Sequence, residues 1–259
     1  MGGDAVVRLE ALRYGLPQRT NEILAMRQPA WGMQVDMSLP LVPGQSRLGG
    51  VPDAPANFDW PHSDDVPSRF IMQIRLDALP RHPVESLHAL LPASGLLLLF
   101  TNPDIVTELP SAGNEGAFAR YVPPGVELIP TQSPSTSDWP SPLRPCPLAI
   151  KPIWTIPSTC DDLPEYATWS EEEIKALDDW EWESEGFGNQ QLLGVSSPLQ
   201  TPIESPENDE LGPSWCVLCQ INSDSDCDLD IYGTALLAIE KEALRRHDFR
   251  RVAVIPQFT

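Results

Sequence analysis

The chain has 259 residues, 41% of them hydrophobic, and carries a formal net charge of -20. That length suits one large domain or two small ones and buries roughly 70 to 75% of the unfolded surface, which excludes disorder of the whole chain. So acidic a chain repels phosphate backbones and anionic headgroups, which excludes general nucleic-acid and membrane-surface binding and leaves room for a basic protein partner.

The 29 prolines are about twice the usual share, and they predict short elements joined by many turns, because proline ends helices and is barred from central strands. The opening MGGDAVVRLEALRYG has no basic stretch leading into an apolar run, so it does not read as a secretory signal. No stretch approaches the roughly 20 apolar residues of a membrane span. Cys146, Cys160, Cys216, Cys219 and Cys227 are too few, and odd in number, for a secreted disulfide framework. A cytoplasmic protein is expected.

Along the chain, Val6, Leu9 and Leu12 recur at helical spacing within residues 4–13, and a second short helix is expected from Thr20, as N-cap, through Met26. WGMQVDMSLPLV (31–42) is strand-like and leads into SRLGGVP (46–52), whose paired glycines supply positive φ or a close backbone approach. The spacing and Lys-Ser/Thr of a phosphate loop are absent. FIMQIRL (70–76) alternates as a strand, sending Phe70, Met72, Ile74 and Leu76 to one face and Ile71, Gln73 and Arg75 to the other.

VESLHALL (84–91) predicts a two-turn helix and GLLLLF (95–100) an apolar strand, followed by short strands at AFARYVP, VELIP and PLAIKPIW. TQSPSTSDWPSPLRPCP (131–147), with five prolines in 17 residues, reads as an exposed loop, either a linker between halves or internal to one domain. Residues 161–185 hold eleven acidic side chains against Lys175 alone. Within them Ser170 and Glu173 form a capping box, and Ile174, Leu177 and Trp180 share a helical face. The acidic C-terminal end of that helix opposes its dipole, so the basic segment KEALRRHDFRR (241–251) is expected to face it at least in part.

One order of motifs occurs twice. NQQLLGVSSPLQ (189–200), WCVLCQINSD (215–224) and YGTALLAI (232–239) repeat the Leu-Gly turn, the Gln-Ile strand and the glycine-led apolar strand. In the same register Val217, Cys219 and Ile221 match the first face, and Leu218, Gln220 and Asn222 the second. A one-residue slip would exchange the faces, so the agreement points to two related halves, about 30–130 and 145–259, within a single domain 1–259. The fold expected is α+β, mainly antiparallel sheets with short peripheral helices.

Cys216 and Cys219 have CxxC spacing, but on an unbroken strand residues three apart point to opposite faces, so Cys219 is expected in the core and no zinc site is assigned. Asp224, Asp226, Asp228 and Asp230 invite a calcium reading that fails at Leu229, where an EF-hand needs Gly, and at Ala235, where it needs Glu; a solvated turn is expected. His62, His82, His88 and His247 stand near no nucleophile elbow. No catalytic residue, metal or cofactor is assigned. For Gln73 and Gln220 two readings stay open: structural hydrogen bonds to neighbouring turns, or, with Arg75 and Asn222, the lining of a groove between the halves.

The ordered words SRLGGVP, Trp60-Pro61, FIMQIRLDALP, LPASGLLLLF, NQQLLGVSSPLQ, WCVLCQINSD and DFRRVAVIPQF resemble the YwqG-like bacterial family, from about residue 40 to the C-terminus. The resemblance implies an α+β fold with extensive antiparallel sheet and related halves, and no established activity. The chain departs from that pattern at Gln190, where members often have His, and at Tyr232-Gly233-Thr234, where they often have Trp-Gly-Asp, so any activity needing that His or Asp is in doubt here. The function expected is non-enzymatic recognition of another protein by the acidic surface or the inter-half groove; a toxin-immunity or effector-partner role suits the charge. The alternative is a small-ligand or enzymatic domain centred on Gln73 and Gln220.

Overall fold

A computed structural model gives the fold and describes residues 3–63, 66–101, 117–134, 142–157, 166–183, 190–196, 203 and 211–257. Helices α1 (Asp4–Arg13) and α2 (Thr20–Met26) lead to β1 (Gln28–Val35), then β2 (Arg47–Leu48), β3 (Asp53–Ala54), β4 (His62–Ser63), β5 (Val66–Pro67) and β6 (Arg69–Arg75). Helix α3 (Glu85–His88), β7 (Leu96–Thr101), β8 (Ala117–Val122) and β9 (Ile129–Pro130) follow. The remainder is β10 (Cys146–Thr155), α4 (Glu171–Glu183), β11 (Gln190–Leu192), β12 (Trp215–Asp224), β13 (Leu229–Glu240), α5 (Lys241–Arg245) and β14 (Val252–Gln257). The class is α+β, with antiparallel strands dominant.

Ten strands form one sheet in the order β14-β13-β12-β11-β1-β10-β2-β6-β7-β8. The order is a palindrome: β1 answers to β10, β11 to β2, β12 to β6, β13 to β7 and β14 to β8. Registers agree as well. Leu48 lies opposite Met72 as Leu192 does opposite Cys219, and Gln73 opposite Leu98 as Gln220 does opposite Leu236. The first strand of each half is exchanged. β1 pairs with β11 and β10 with β2, so each half completes the sheet of the other around the central β1–β10 ladder. The sheet curls until its edge strands β14 and β8 approach, where Tyr121 packs on Phe249 with ring centroids 6.4 Å apart.

Both Gln-Ile strands carry a bulge at the same point, between Phe70 and Met72 and between Val217 and Cys219. A bulge inserts one residue and breaks the alternation, which corrects the faces expected from period two. Ile71, Met72 and Ile74 all enter the interior core, while Phe70 joins an outer cluster with Trp60, Leu98 and Phe100; likewise Leu218, Cys219 and Ile221 point in and Val217 out. Cys216 also packs against the interior core, so the bulge puts it on the same side as the fully buried Cys219. The bulge carbonyls are used identically: Ile71 O accepts from Gly49 N (2.7 Å) and Leu218 O from Leu193 N (3.0 Å).

The Leu-Gly turns that make those bonds need left-handed backbone. Gly49 and Gly50 have φ of 70° and 74°, matched by Leu193 and Gly194 at 59° and 84°. A Cβ on Gly49 would lie 2.3 Å from the carbonyl oxygen of Arg144, so both expected uses of the glycine pair, positive φ and close approach, are realised there.

The peripheral helices were expected, but α1 turns the other way. Val7 and Ala11 are buried against α2 and α4, whereas Val6, Leu9 and Leu12 stand exposed. Thr20 is not a cap; Arg19 holds the N-cap position and the Thr20 hydroxyl donates back to Pro17 O. The capping box of α4 forms as expected, Glu173 N donating to Ser170 Oγ (3.2 Å) and Ser170 N to Glu173 Oε2 (2.9 Å), with Leu177 and Trp180 buried. Among the described side chains no ion pair joins the helix to the 241–251 segment, and the partner at its N-terminal turn is Arg19. Arg19 takes Glu173 at 2.9 Å and, with Gln18, holds that carboxyl down at about 2. The basic segment spends its arginines locally, Arg245 and Arg246 on Glu242, Arg250 on Asp248 and Arg251 on Glu240. Helix α3 is one turn, shorter than expected, and Leu143 is buried inside the stretch expected to be an exposed loop, whose residues 135–141 lie outside those described.

Candidate functional site

The segment from Leu41 to Asp53 enters and leaves the Leu-Gly-Gly turn, and a buried charge network fixes it. Gly44, at φ 75°, turns the chain so that its N–H reaches Asp53 Oδ2 (2.7 Å). The same oxygen accepts from Arg47 Nη1 (2.6 Å) and Gln73 Nε2 (2.9 Å). Gln73 also donates to Gln45 O (2.7 Å) and accepts from Asp53 N (3.0 Å), so its amide clamps both ends of the segment onto β6. Burial alone would push the Asp53 carboxyl up; the Arg47 guanidinium, the Gly44 N–H and the Gln73 amide outweigh it and hold the group below the usual carboxylate range.

The second half repeats the frame without the charge. Arg47 Nη2 donates to Val51 O as Gln191 Nε2 does to Val195 O, and Arg75 N donates to Ser46 Oγ as Asn222 N does to Gln190 Oε1. Where the first half has an arginine the second has a neutral amide, so the Arg47–Asp53 pair is peculiar to one half.

Two cavities flank the fixed segment on either side of Pro43. One, of about 500 Å³, is walled by Leu41, Val42, Pro130, Pro142 and Pro145, with Arg47 and Asp53 at its inner end. The other, of about 340 Å³, runs between Arg75, Gly95 and Val126. Leu41 and Val42 are each 48% exposed and Ile129 42%, with the exposed carboxylate of Glu127 between Val126 and Ile129. Leu41 and Val42 are adjacent and exposed on the wall of the larger cavity, and Ile129 precedes its wall residue Pro130; adjoining exposed apolar residues at a cavity are less ordinary than single ones.

The residues singled out in the sequence are not brought into one groove. Gln73 and Arg75 lie on β6 and Gln220 and Asn222 on β12, with β2, β10, β1 and β11 between. At a strand spacing of about 4.8 Å that is roughly 24 Å along the sheet. Gln73 is fully buried and Gln220 is 7% exposed. Asn222 accepts at Oδ1 from Thr234 Oγ1 (2.6 Å), and Arg75 lies in an ion pair with Asp77 (2.9 Å) on the wall of the smaller cavity. The structural reading of Gln73 therefore describes it fully. Arg47 and Asp53 escaped notice because an arginine and an aspartate six apart carry no signal among 37 acidic residues; only their bracketing of the Leu-Gly-Gly turn marks them.

All four histidines engage backbone groups. His82 Nδ1 accepts from Val84 N and its Nε2 meets Ile153 O, His88 Nε2 accepts from His82 N, His62 meets Trp60 O and His247 meets Ala89 O. Among the described residues no three His, Cys, Asp or Glu side chains are grouped to hold a metal ion. The aspartate loop closes on itself, Asp224 Oδ1 accepting from Asp226 N (3.0 Å) and Asp228 taking left-handed backbone at φ 56°. No described helix is long and apolar enough to cross a membrane.

A family model for a domain of unknown function, DUF1963, matches residues 46–257. The chain belongs to that family. No curated protein matches it. The DUF1963 match opens at Ser46, so the turn, Arg47, Asp53 and the β6 clamp all fall inside it, whereas β1, which lies at the centre of the sheet, falls outside.

Proposed function

We propose that this DUF1963 chain is a non-catalytic, cytoplasmic binding protein of the YwqG-like kind, and that the larger of the two cavities, the Pro43 groove, holds an apolar, basic segment of another protein. The observation that carries the reading is the exposed pair Leu41 and Val42, on the wall of the larger cavity and on a segment immobilised by the Asp53 network. A rigid apolar patch binds without the cost of ordering its own loop. The net charge of -20 adds long-range attraction for a cationic partner, so association should weaken with salt. The matched registers of the two halves support reading them as a duplicated unit in which only the first copy acquired the charged turn.

The test is a photo-reactive residue placed at Val42 in cells producing the protein, with Leu9 on α1 as the control position. The expected result is a basic polypeptide crosslinked from position 42 alone, whose affinity, remeasured with purified components, falls about tenfold or more in Leu41→Glu and at raised salt. Capture from both positions alike, or unchanged binding by Leu41→Glu, would overturn the reading.

A further inference from the structure

The palindrome allows each interior position of one half to be compared with its partner in the other, and at one end of the sheet the comparison fails. In the second half Cys216, Ile239 and Val252 lie side by side across β12, β13 and β14, and pack with Ala243 and Leu244 of α5 as ordinary core. The matching positions across β6, β7 and β8 are Arg69, Thr101 and Ala117. Cross-strand partners share a face, so Arg69 and Thr101 are neighbours on the side that Ala117 contributes to the core.

Both polar residues are left with unmet hydrogen-bonding groups. Arg69 Nε and Thr101 Oγ1 are buried and have no partner, and Thr101 is only 3% exposed. Most described arginines rest on carboxylates, as Arg19 does on Glu173, Arg47 on Asp53 and Arg251 on Glu240, and the part-buried Arg120 donates to Ala119 O. Among the described residues Arg69 meets no carboxylate, and burial pushes its guanidinium down from the usual range. Ser68 Oγ is also buried and unpartnered, but the alternation of β6 turns it to the outer face with Phe70, where Trp60 Nε1 donates to the Ser68 carbonyl (2.9 Å). An unpaired buried donor is costly, more so when it is charged, and here a guanidinium and a hydroxyl in this condition stand on paired positions of neighbouring strands.

We infer that Arg69 and Thr101 form a binding site for a small oxyanion, the carboxylate or phosphate group of a small molecule, taken by the Arg69 fork and the Thr101 hydroxyl. A planar guanidinium presents paired N–H groups that match two oxygens of either anion. The site is independent of the Pro43 groove and involves no chemistry at the anion.

Titration calorimetry on the intact chain, with inorganic phosphate and with succinate as separate probes at matched ionic strength, tests the inference. At least one probe should bind saturably, with affinity reduced about tenfold or more in Arg69→Met and more modestly in Thr101→Val; which of the two binds assigns the anion class. Arg69→Met removes an unpaired buried charge and should fold at least as well as the parent, and circular dichroism and thermal melting check this. Arg69→Lys keeps the charge without the fork and should bind more weakly than the parent. Saturation by neither probe, or equal binding by the parent and Arg69→Met, would overturn the inference.

Discussion

Asp53→Ala probes the groove's foundation most directly. The substitution removes the acceptor of three hydrogen bonds and leaves the Arg47 guanidinium, 8% exposed, without its counter-charge. Breaking one side of a buried pair costs about 3–5 kcal/mol, most of it the uncompensated charge that remains. Against a total stability of about 5–15 kcal/mol, that is a large fraction. Arg47→Met should cost about 3 kcal/mol by the same reasoning. The double variant removes both charges and leaves only neutral groups unmet, the Gly44 and Gln73 donors and the Val51 carbonyl, so its cost should fall below the sum of the singles by about 2 kcal/mol or more. Urea denaturation followed by tryptophan fluorescence measures all three. The pH dependence supplies a second arm. The folded Asp53 carboxyl is held below its ordinary value, so its contribution is complete above about pH 4 and is lost as pH falls through the folded value; the gap between parent and Asp53→Ala should narrow in that range. A cost under about 1 kcal/mol for Asp53→Ala, additive single effects, or a gap that does not narrow in acid would refute the reasoning.

Two further predictions concern the scaffold. Deleting residues 1–45, which precede the family match, removes β1 and so strips the partners of β10 and β11 from the middle of the sheet, together with buried Trp31 and Met33; the truncated chain should be unfolded or aggregated by sedimentation and circular dichroism, and a soluble monomer with the parent's spectrum would refute the exchange of first strands. His82 is buried, its Nδ1 accepts from Val84 N, and burial pushes the imidazole down, so the unfolded chain takes up a proton first and stability should erode as pH drops below about 6.5. His82→Gln should lose stability at neutral pH yet show a flatter slope between about pH 6.5 and 5, and an unchanged slope in thermal melts would count against that role.

Much of the fold was legible because its signals are local. The α4 capping box lies within four residues, the glycine pair at 49–50 permits left-handed backbone without steric cost, and the Gln-Ile strands carry the same pattern twice. The faces of those strands were misread at Phe70 and Ile71 because period two presumes an unbroken pleat, and nothing in FIMQIRL marks the bulge. Helix α1 has two apolar sets at helical spacing, and the packing of α2 and α4 decides that Val7 and Ala11 are the inner one. The partner of the first turn of α4 carries no local signal, because a short-range ion pair needs only proximity in space and Arg19 lies 154 residues from Glu173.

The sequence by itself determined the elements, their turns and the likeness of the two halves, since dihedral preference, capping and alternation act between residues close along the chain. Tertiary structure alone decided which strand neighbours which, that the first strands change places, and that Arg47 is answered by Asp53 while Arg69 meets no carboxylate among the described residues. A ladder satisfies any extended neighbour with the right spacing, and a buried charge any acceptor within reach. Those partners are chosen by closure of the whole sheet, which no local window contains.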